Sequence, residues 1–375
     1  MGLGFTQLFS KESVVGIDIG SASLKAVEIE QRLNGWQVVN AAVEPMPPGS
    51  CRDGAITNVE EVARSVRSLL KNGGFNATRA VTAVAGSQVI VRQVQFPKMT
   101  EAALRKSVKY EASKFISAPI EESVVEFEIL DDGPEPGQMN VMLVVAPANM
   151  VESRVFVLEQ AGLEPIAVDV EAFALLRSLV TMRPDAMVSD GTIALVDIGA
   201  TNTDVNIVTG GQFALTRNIP IAGDSLTNSI RSVFNIAAEE AEHAKRGMTI
   251  PSDGSPSHDE MENRLWRAVQ PLMEELLREI RRSVNYFQSQ FPEGSEQANI
   301  EKILLCGGSA LTPGIGEYFS SKLNIPTEVA DVFGESLVKT GDLAPEFVSK
   351  HGPMLAVVVG LALKEHFAAK LAKAA

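Results

Sequence analysis

The chain has 375 residues, room for two or three domains of about 150 residues each and for a core that needs no covalent staples. Hydrophobic residues make up 45% and charged residues 21%, the proportions of a folded globular protein, which excludes disorder as the dominant state. Lys and Arg number 33 against 47 Asp and Glu, and the net charge of −14 repels phosphate backbones and argues against nucleic-acid binding as the main task.

Residues 1–10 lack the basic start and apolar run of a secretory signal. Met1-Gly2-Leu3-Gly4-Phe5-Thr6 fits the myristoylation pattern, one short enough to arise by chance. Strands are predicted at Val14–Ile19, 24–29 and 37–43, a meander, and a helix at 59–70 from apolar residues at 59, 62, 66, 69 and 70. Strands follow at 79–85 and 87–96, then a helix at 101–115 opened by Thr100 as N-cap. Two strands (124–130, 138–146), a helix (Ala148–Ala161), a strand (163–170) and a helix (171–181) complete the first half.

A second meander is predicted at Thr192–Ile198, 204–209 and Gln212–Ile219, with helices at 224–234 and 237–246. The helical pattern of 261–291 contains Pro271, which is expected to break or kink it. A buried strand at 303–306, a helix at 312–322 and an apolar helix at 352–367 close the chain. The longest uncharged apolar run, 354–363, is too short to span a bilayer. Cys51 and Cys306 are too far apart in sequence for a disulfide framework or zinc knuckle, and the four histidines are scattered, so the expected compartment is the cytoplasm.

The chemistry lies in an internal echo. Gly16-Ile17-Asp18-Ile19-Gly20-Ser21-Ala22-Ser23-Leu24-Lys25 is answered by Leu195-Val196-Asp197-Ile198-Gly199-Ala200-Thr201-Asn202-Thr203-Asp204, with the aspartates 179 positions apart. Glycine lets a hairpin turn tightly and lets backbone N–H groups approach a phosphate; Ser and Thr hydroxyls add hydrogen bonds. An Asp at a strand end can hold a hydrated Mg²⁺, and Lys25 could neutralise phosphate charge. A repeat on this scale predicts two similar domains facing each other. A third cluster, Cys306-Gly307-Gly308-Ser309, joins a buried strand to a helix and would let a flat nucleoside lie against backbone; alone it could be a close strand–helix junction. There is no Walker A or G-x-G-x-x-G sequence.

Together these segments resemble the phosphate-1, phosphate-2 and adenosine motifs of the actin/Hsp70/sugar-kinase superfamily. The order of hairpin, helix and inserted subdomain is similar to the FtsA/PilM branch. Phe96-Pro97-Lys98-Met99, Tyr110-Glu111-Ala112, Ala161-Gly162-Leu163-Glu164-Pro165, Asp169-Val170-Glu171-Ala172-Phe173, Gly223-Asp224-Ser225-Leu226-Thr227 and Ala241-Glu242-His243-Ala244-Lys245 resemble the PilM family of type IV pilus assembly.

The resemblance implies an α/β, actin-like (ribonuclease H-like) fold of duplicated domains around a nucleotide cleft, with an inserted FtsA-type small α+β subdomain. The expected units are residues 1–86 with 170–190, the insert 87–169, a second domain 191–350, and a terminal helix 351–375 returning to the first. ATP or ADP with Mg²⁺ is the implied cofactor. Asp18 and Asp197 would hold the metal through water. Gly20, Ser21, Ala22, Ser23 and Lys25 would face the phosphates from one side, and Gly199, Ala200, Thr201, Asn202 and Thr203 from the other. Glu242 and Lys245 would contact ribose and adenine, with Gly307, Gly308 and Ser309 closing the base side; on spacing alone that pair reads as a solvated helix i, i+3 pair.

Glu171 lies where relatives carry a polar residue that positions the attacking water, but a carboxylate at a helix start is equally suited to the macrodipole. The implied activity is at most that of a slow ATPase. The implied role is an adaptor in pilus assembly and twitching motility. It would hold the cytoplasmic amino-terminal tail of the inner-membrane protein PilN between the 87–163 subdomain and the first domain, with other pilus assembly proteins as further partners, and reach the membrane only through its partner. A small-metabolite kinase is the alternative from another class, although no further carboxylate motif suggests a substrate base. An FtsA-like division protein should end in a separate amphipathic anchor; 361–375, with Lys364, Lys370 and Lys373, reads instead as a frayed helix end.

Overall fold

Alternating apolar residues and tight glycine turns build two meanders, and each seeds a sheet. The structure, a computed structural model, describes residues 13–32, 35–116, 119–133, 135–183, 191–255, 259–334 and 336–367. The myristoylation pattern at 1–6 and Lys370 and Lys373 lie outside them. In the first half, β1 (Val14–Ile19), β2 (Ser23–Arg32) and β3 (Gly35–Pro45) run antiparallel. A short hairpin, β4 (Cys51–Arg52) with β5 (Ala55–Ile56), precedes helix α1 (Val59–Asn72). Strand β6 (Arg79–Val84) then lies parallel to β1.

The chain next leaves this sheet. β7 (Ile90–Pro97), α2 (Glu101–Ala112), β8 (Ser123–Asp132) and β9 (Gln138–Pro147) form an antiparallel three-stranded sheet of order β7-β9-β8, with α2 packed on it through Leu104, Val108 and Ala112. The Thr100 hydroxyl accepts from the Ala103 N–H and caps α2. Helix α3 (Ala148–Ala161) and strand β10 (Glu164–Val170) return to the first sheet. β10 pairs with β6, and Val157, Leu158 and Ala161 pack with Val15, Ile17 and Val66. The three-stranded sheet is thus built from residues 90–147; α3 packs on both sheets, its Met150 against Val91 and Met142, and β10 joins the first.

Helix α4 (Glu171–Leu176) continues as a π-helix, Arg177–Thr181. The second half repeats the first. β11 (Thr192–Ile198), β12 (Thr203–Thr209) and β13 (Gln212–Ile219) are antiparallel. After α5 (Gly223–Phe234), α6 (Ala238–Gly247) and α7 (Glu260–Gln288), strands β14 (Ile300–Cys306) and β15 (Thr327–Val329) add in parallel, with α8 (Ile315–Leu323) between them. The order β13-β12-β11-β14-β15 matches β3-β2-β1-β6-β10 strand for strand, with β16 (Val338–Lys339) added at the first sheet's edge beside β3.

Pro271 does not break α7, which runs 29 residues through it. The proline is exposed, and apolar residues on both sides (Leu265, Trp266, Val269, Met273, Leu277, Ile280) are anchored in the second core, so burial outweighs the one lost backbone hydrogen bond. Helix α8 starts at Ile315 rather than at 312. Gly314, at φ +82°, is its N-cap, and the preceding Ser309–Leu311 is a 3-10 turn.

Helix α9 (Pro345–His351) and a 3-10 turn lead to α10 (Ala356–Ala362), which lies against β1 and α4. Its close approach requires glycine: a Cβ on Gly16 would meet the Val358 carbonyl at 2.5 Å, and one on Gly360 would strike the Ala174 carbonyl. A core cluster that includes Val27, Val81, Leu195, Leu304, Cys306 and Val358 runs from one sheet to the other.

Candidate functional site

The two glycine hairpins have the same local form. Gly20 N–H donates to Ser23 O at 3.2 Å, and Gly199 N–H donates to Asn202 O at 3.0 Å. Their tips meet: Ser21 Oγ and Thr201 Oγ1 lie 3.2 Å apart although 180 positions separate them in sequence. Sequence spacing suggested that the hairpins face each other, and the structure brings them into contact.

At the base of the first hairpin, Asp18 and Lys25 are cross-strand partners, joined by an ion pair of 2.8 Å at 7% and 11% side-chain exposure. Burial alone would lower the Lys25 pKa, but Asp18, with Asp197 and Glu171 beyond it, raises it overall. Lys25 therefore serves Asp18 and lies beside Gly20.

In the second hairpin the corresponding partners are two acids, Asp197 opposite Asp204. Burial, Asp204 and Asp18 push Asp197 up to about 7, against the opposing pull of Lys25. Burial pushes Asp204 up to about 6, and a 2.9 Å hydrogen bond from Asn218 only partly offsets it. Glu171, at the start of α4, is raised well above the usual carboxylate range by burial and by Asp18, Asp197 and Asp204, with Arg154 opposing. Asp204 was missed in the sequence reading, although the signal was there: it follows Asp197 by seven positions, as Lys25 follows Asp18.

The rest of the second half converges on Gly199. Gly223 N–H, at the start of α5, donates to Gly199 O at 3.1 Å, Asp224 N–H to Ala200 O at 2.7 Å, and Ser309 Oγ to Gly199 O at 3.1 Å. Gly307, at φ +86°, lies so close to Asp197 and the Ile198 carbonyl that a side chain would collide with both, while Gly308 is open. The Thr203 hydroxyl is turned away from the hairpin tip: it is fully buried and donates to Ile221 O at 2.7 Å.

Glu242 and Lys245 are not a solvated pair. Lys245 is 8% exposed, contacts Glu242 at 2.6 Å, and donates to Thr227 Oγ1 at 2.9 Å and Gly223 O at 3.1 Å. Partial burial would raise Glu242, but hydrogen bonds from Lys245 and Thr227 and the lysine charge bring it down to about 2. Thr227, which links these two residues to α5, was also missed; it lies four residues after Gly223 on α5.

Four acids (Asp18, Glu171, Asp197, Asp204) thus share one region, where Lys25 and Arg154 oppose their charge. Among the described residues no group of three or more His, Cys, Asp or Glu is arranged to hold a metal directly. The donor set suits a hydrated Mg²⁺, which keeps its waters and would relieve the crowded negative charge. Among the described residues no helix is long and apolar enough to cross a membrane.

The sequence profile of the family described as type IV pilus assembly protein PilM matches residues 16–366. A solved structure of the PilM-PilN type IV pilus biogenesis complex superposes with a TM-score of 0.81 and 28% identity over 94% of this chain and 98% of that one. MreB5 of Spiroplasma citri bound to ADP gives 0.53 at 16% identity, covering 97% and 99%. These likenesses show an actin-like fold. Cell division protein FtsA of Pseudomonas aeruginosa is 23% identical over 85% of this chain and 83% of its own length. The Bacillus subtilis FtsA is 21% identical over 67% of this chain, and the match spans 61% of that protein.

Proposed function

The chain belongs to the type IV pilus assembly protein PilM family, and on that premise we propose that it is an actin-like adaptor with two ligands: Mg²⁺-bound ATP or ADP between its halves, and the cytoplasmic amino-terminal tail of PilN on its inserted sheet. The observation that carries the nucleotide site is the contact of the two phosphate hairpins at Ser21 and Thr201. A phosphate chain lying there would meet those two hydroxyls and the backbone of the two hairpin turns, residues 20–23 and 199–202, whose tight form the internal bonds of Gly20 and Gly199 hold. Asp18 and Asp197 would hold the metal through water. Glu242, Lys245, Gly307, Gly308 and Ser309 would line the nucleoside end. The bound metal would supply positive charge for the phosphates and the crowded acids. Glu171 is the candidate to orient water, and turnover would be slow at most.

The PilN assignment is supported by the superposition on the PilM-PilN complex. In this reading the protein is cytoplasmic and reaches the inner membrane through PilN. Calorimetry tests the nucleotide site. Mg·ATP should bind and raise the melting temperature, by about 2.7 kcal/mol of stability at 100-fold excess over Kd. Asp18→Ala and Asp197→Ala should reduce that gain, and no heat of binding at millimolar ATP refutes the site.

A further inference from the structure

Arg154, on α3, is 1% exposed, and among the described residues no carboxylate forms an ion pair with it. Its guanidinium is spent on three backbone carbonyls from three segments. Nε donates to Ala83 O at 2.5 Å, Nη1 to Met150 O at 3.0 Å, and Nη2 to Gly54 O at 2.8 Å. Glu171 and Asp18 act on it only at a distance, and a buried cation with no direct ion pair costs stability, so its place in the fold calls for a reason.

The three acceptors supply one. Ala83 is the penultimate residue of β6, just before the chain departs into the three-stranded sheet; Met150 lies in the first turn of α3, just after the chain returns. Both roots of the insert are therefore held by one planar side chain. The third acceptor, Gly54, turns the β4–β5 hairpin at φ +75°, and a Cβ there would meet the Ala85 carbonyl at 2.5 Å. At the other end of that hairpin, Cys51 Sγ lies 3.9 Å from Ser21 Oγ, and Ser21 is the residue that touches Thr201 across the cleft.

We propose that Arg154 is a positioning residue that couples the inserted sheet to the nucleotide cleft, by fixing both roots of the insert and the β4–β5 hairpin that abuts the first phosphate hairpin. Only a guanidinium can serve three carbonyls in one plane; a lysine keeps the charge but not the fork. A shift of the insert when a peptide docks on it then moves Gly54 and Cys51, and with them Ser21.

The inference rests on the adaptor reading, and calorimetry on the full chain separates the two. Mg·ATP and a synthetic peptide copying the PilN cytoplasmic tail are titrated alone and in each other's presence. In the wild type each ligand should change the other's affinity by about fivefold or more. Arg154→Lys should leave both single-ligand affinities within about twofold while reducing the coupling factor to below about twofold. Wild type that binds neither ligand overturns the adaptor reading and the coupling with it. Wild type that binds both without mutual effect, or Arg154→Lys that keeps the full factor, overturns the coupling alone. Should Arg154→Lys melt below the assay temperature, hydrogen exchange in the wild type decides: peptide binding should slow exchange at 51–56 by about fivefold or more, and no change there overturns the proposal.

Discussion

The two glycine hairpins share a backbone and differ in charge. At corresponding positions the first sets a lysine opposite its aspartate and the second sets another aspartate. The first hairpin closes its own electrostatics through the 2.8 Å Lys25–Asp18 pair. The second cannot, and burial leaves Asp197 and Asp204 with pKa values of about 7 and about 6. One geometry occurs twice, and the two copies have divided the electrostatics: one half is neutral in itself, the other keeps two opposed acids.

Breaking the first hairpin should have the largest effect. Lys25→Ala strands a buried aspartate and should cost about 3 kcal/mol in denaturant unfolding. A loss below about 1 kcal/mol would mean that the first hairpin does not depend on its ion pair.

Sharpening the contrast in the second hairpin should act in the opposite direction. A carboxyl whose pKa is raised on folding gives stability that is present below its unfolded value near 4 and lost as pH rises through the folded value. The ligand-free protein should therefore lose stability between about pH 4 and pH 7 through Asp197 and Asp204. Asp204→Asn should be more stable than wild type by on the order of 1–2 kcal/mol at pH 8 and equal to it near pH 4, measured by thermal melts across pH. Equal melts at pH 8 would show that the opposed acids cause no strain.

The smallest effect is expected at Glu242 and Lys245, where the pairing is complete and half in water. The depressed Glu242 pKa makes a contribution present above about pH 4 and lost as pH falls toward 2. With solvent screening, Glu242→Gln should cost about 1 kcal/mol at pH 7 and nothing near pH 2. An unchanged stability at pH 7 would return the Glu242–Lys245 pair to the status of a surface ion pair.

The sheets were legible because their signals are local. A continuous apolar run bounded by glycine marks β1, alternation marks β2, and the Asp-Ile-Gly echo gave both hairpins by residue. What escaped depends on partners distant in sequence. β4, β5, β15 and β16 are two or three residues long and exist only because a neighbouring strand receives them. Pro271 argued for a break that the buried stripe of α7 overrides. The burial of Lys245 follows from Thr227 and Gly223 on another helix, and the Thr203 hydroxyl is directed by Ile221, 18 positions on. Short motifs announce where chemistry gathers, while the direction of each side chain is decided by elements far along the chain.

The close seating of α10 on β1 sets a timetable for synthesis. Strand β1 precedes every other strand, and the backbone that covers Gly16 belongs to Val358 and Ala362, which are made about 340 residues later. The first sheet can form early, but one of its faces stays uncovered through most of translation. A nascent chain stopped short of residue 356 should present that face to chaperones, whereas emergence of α10 should complete the core in a single late step.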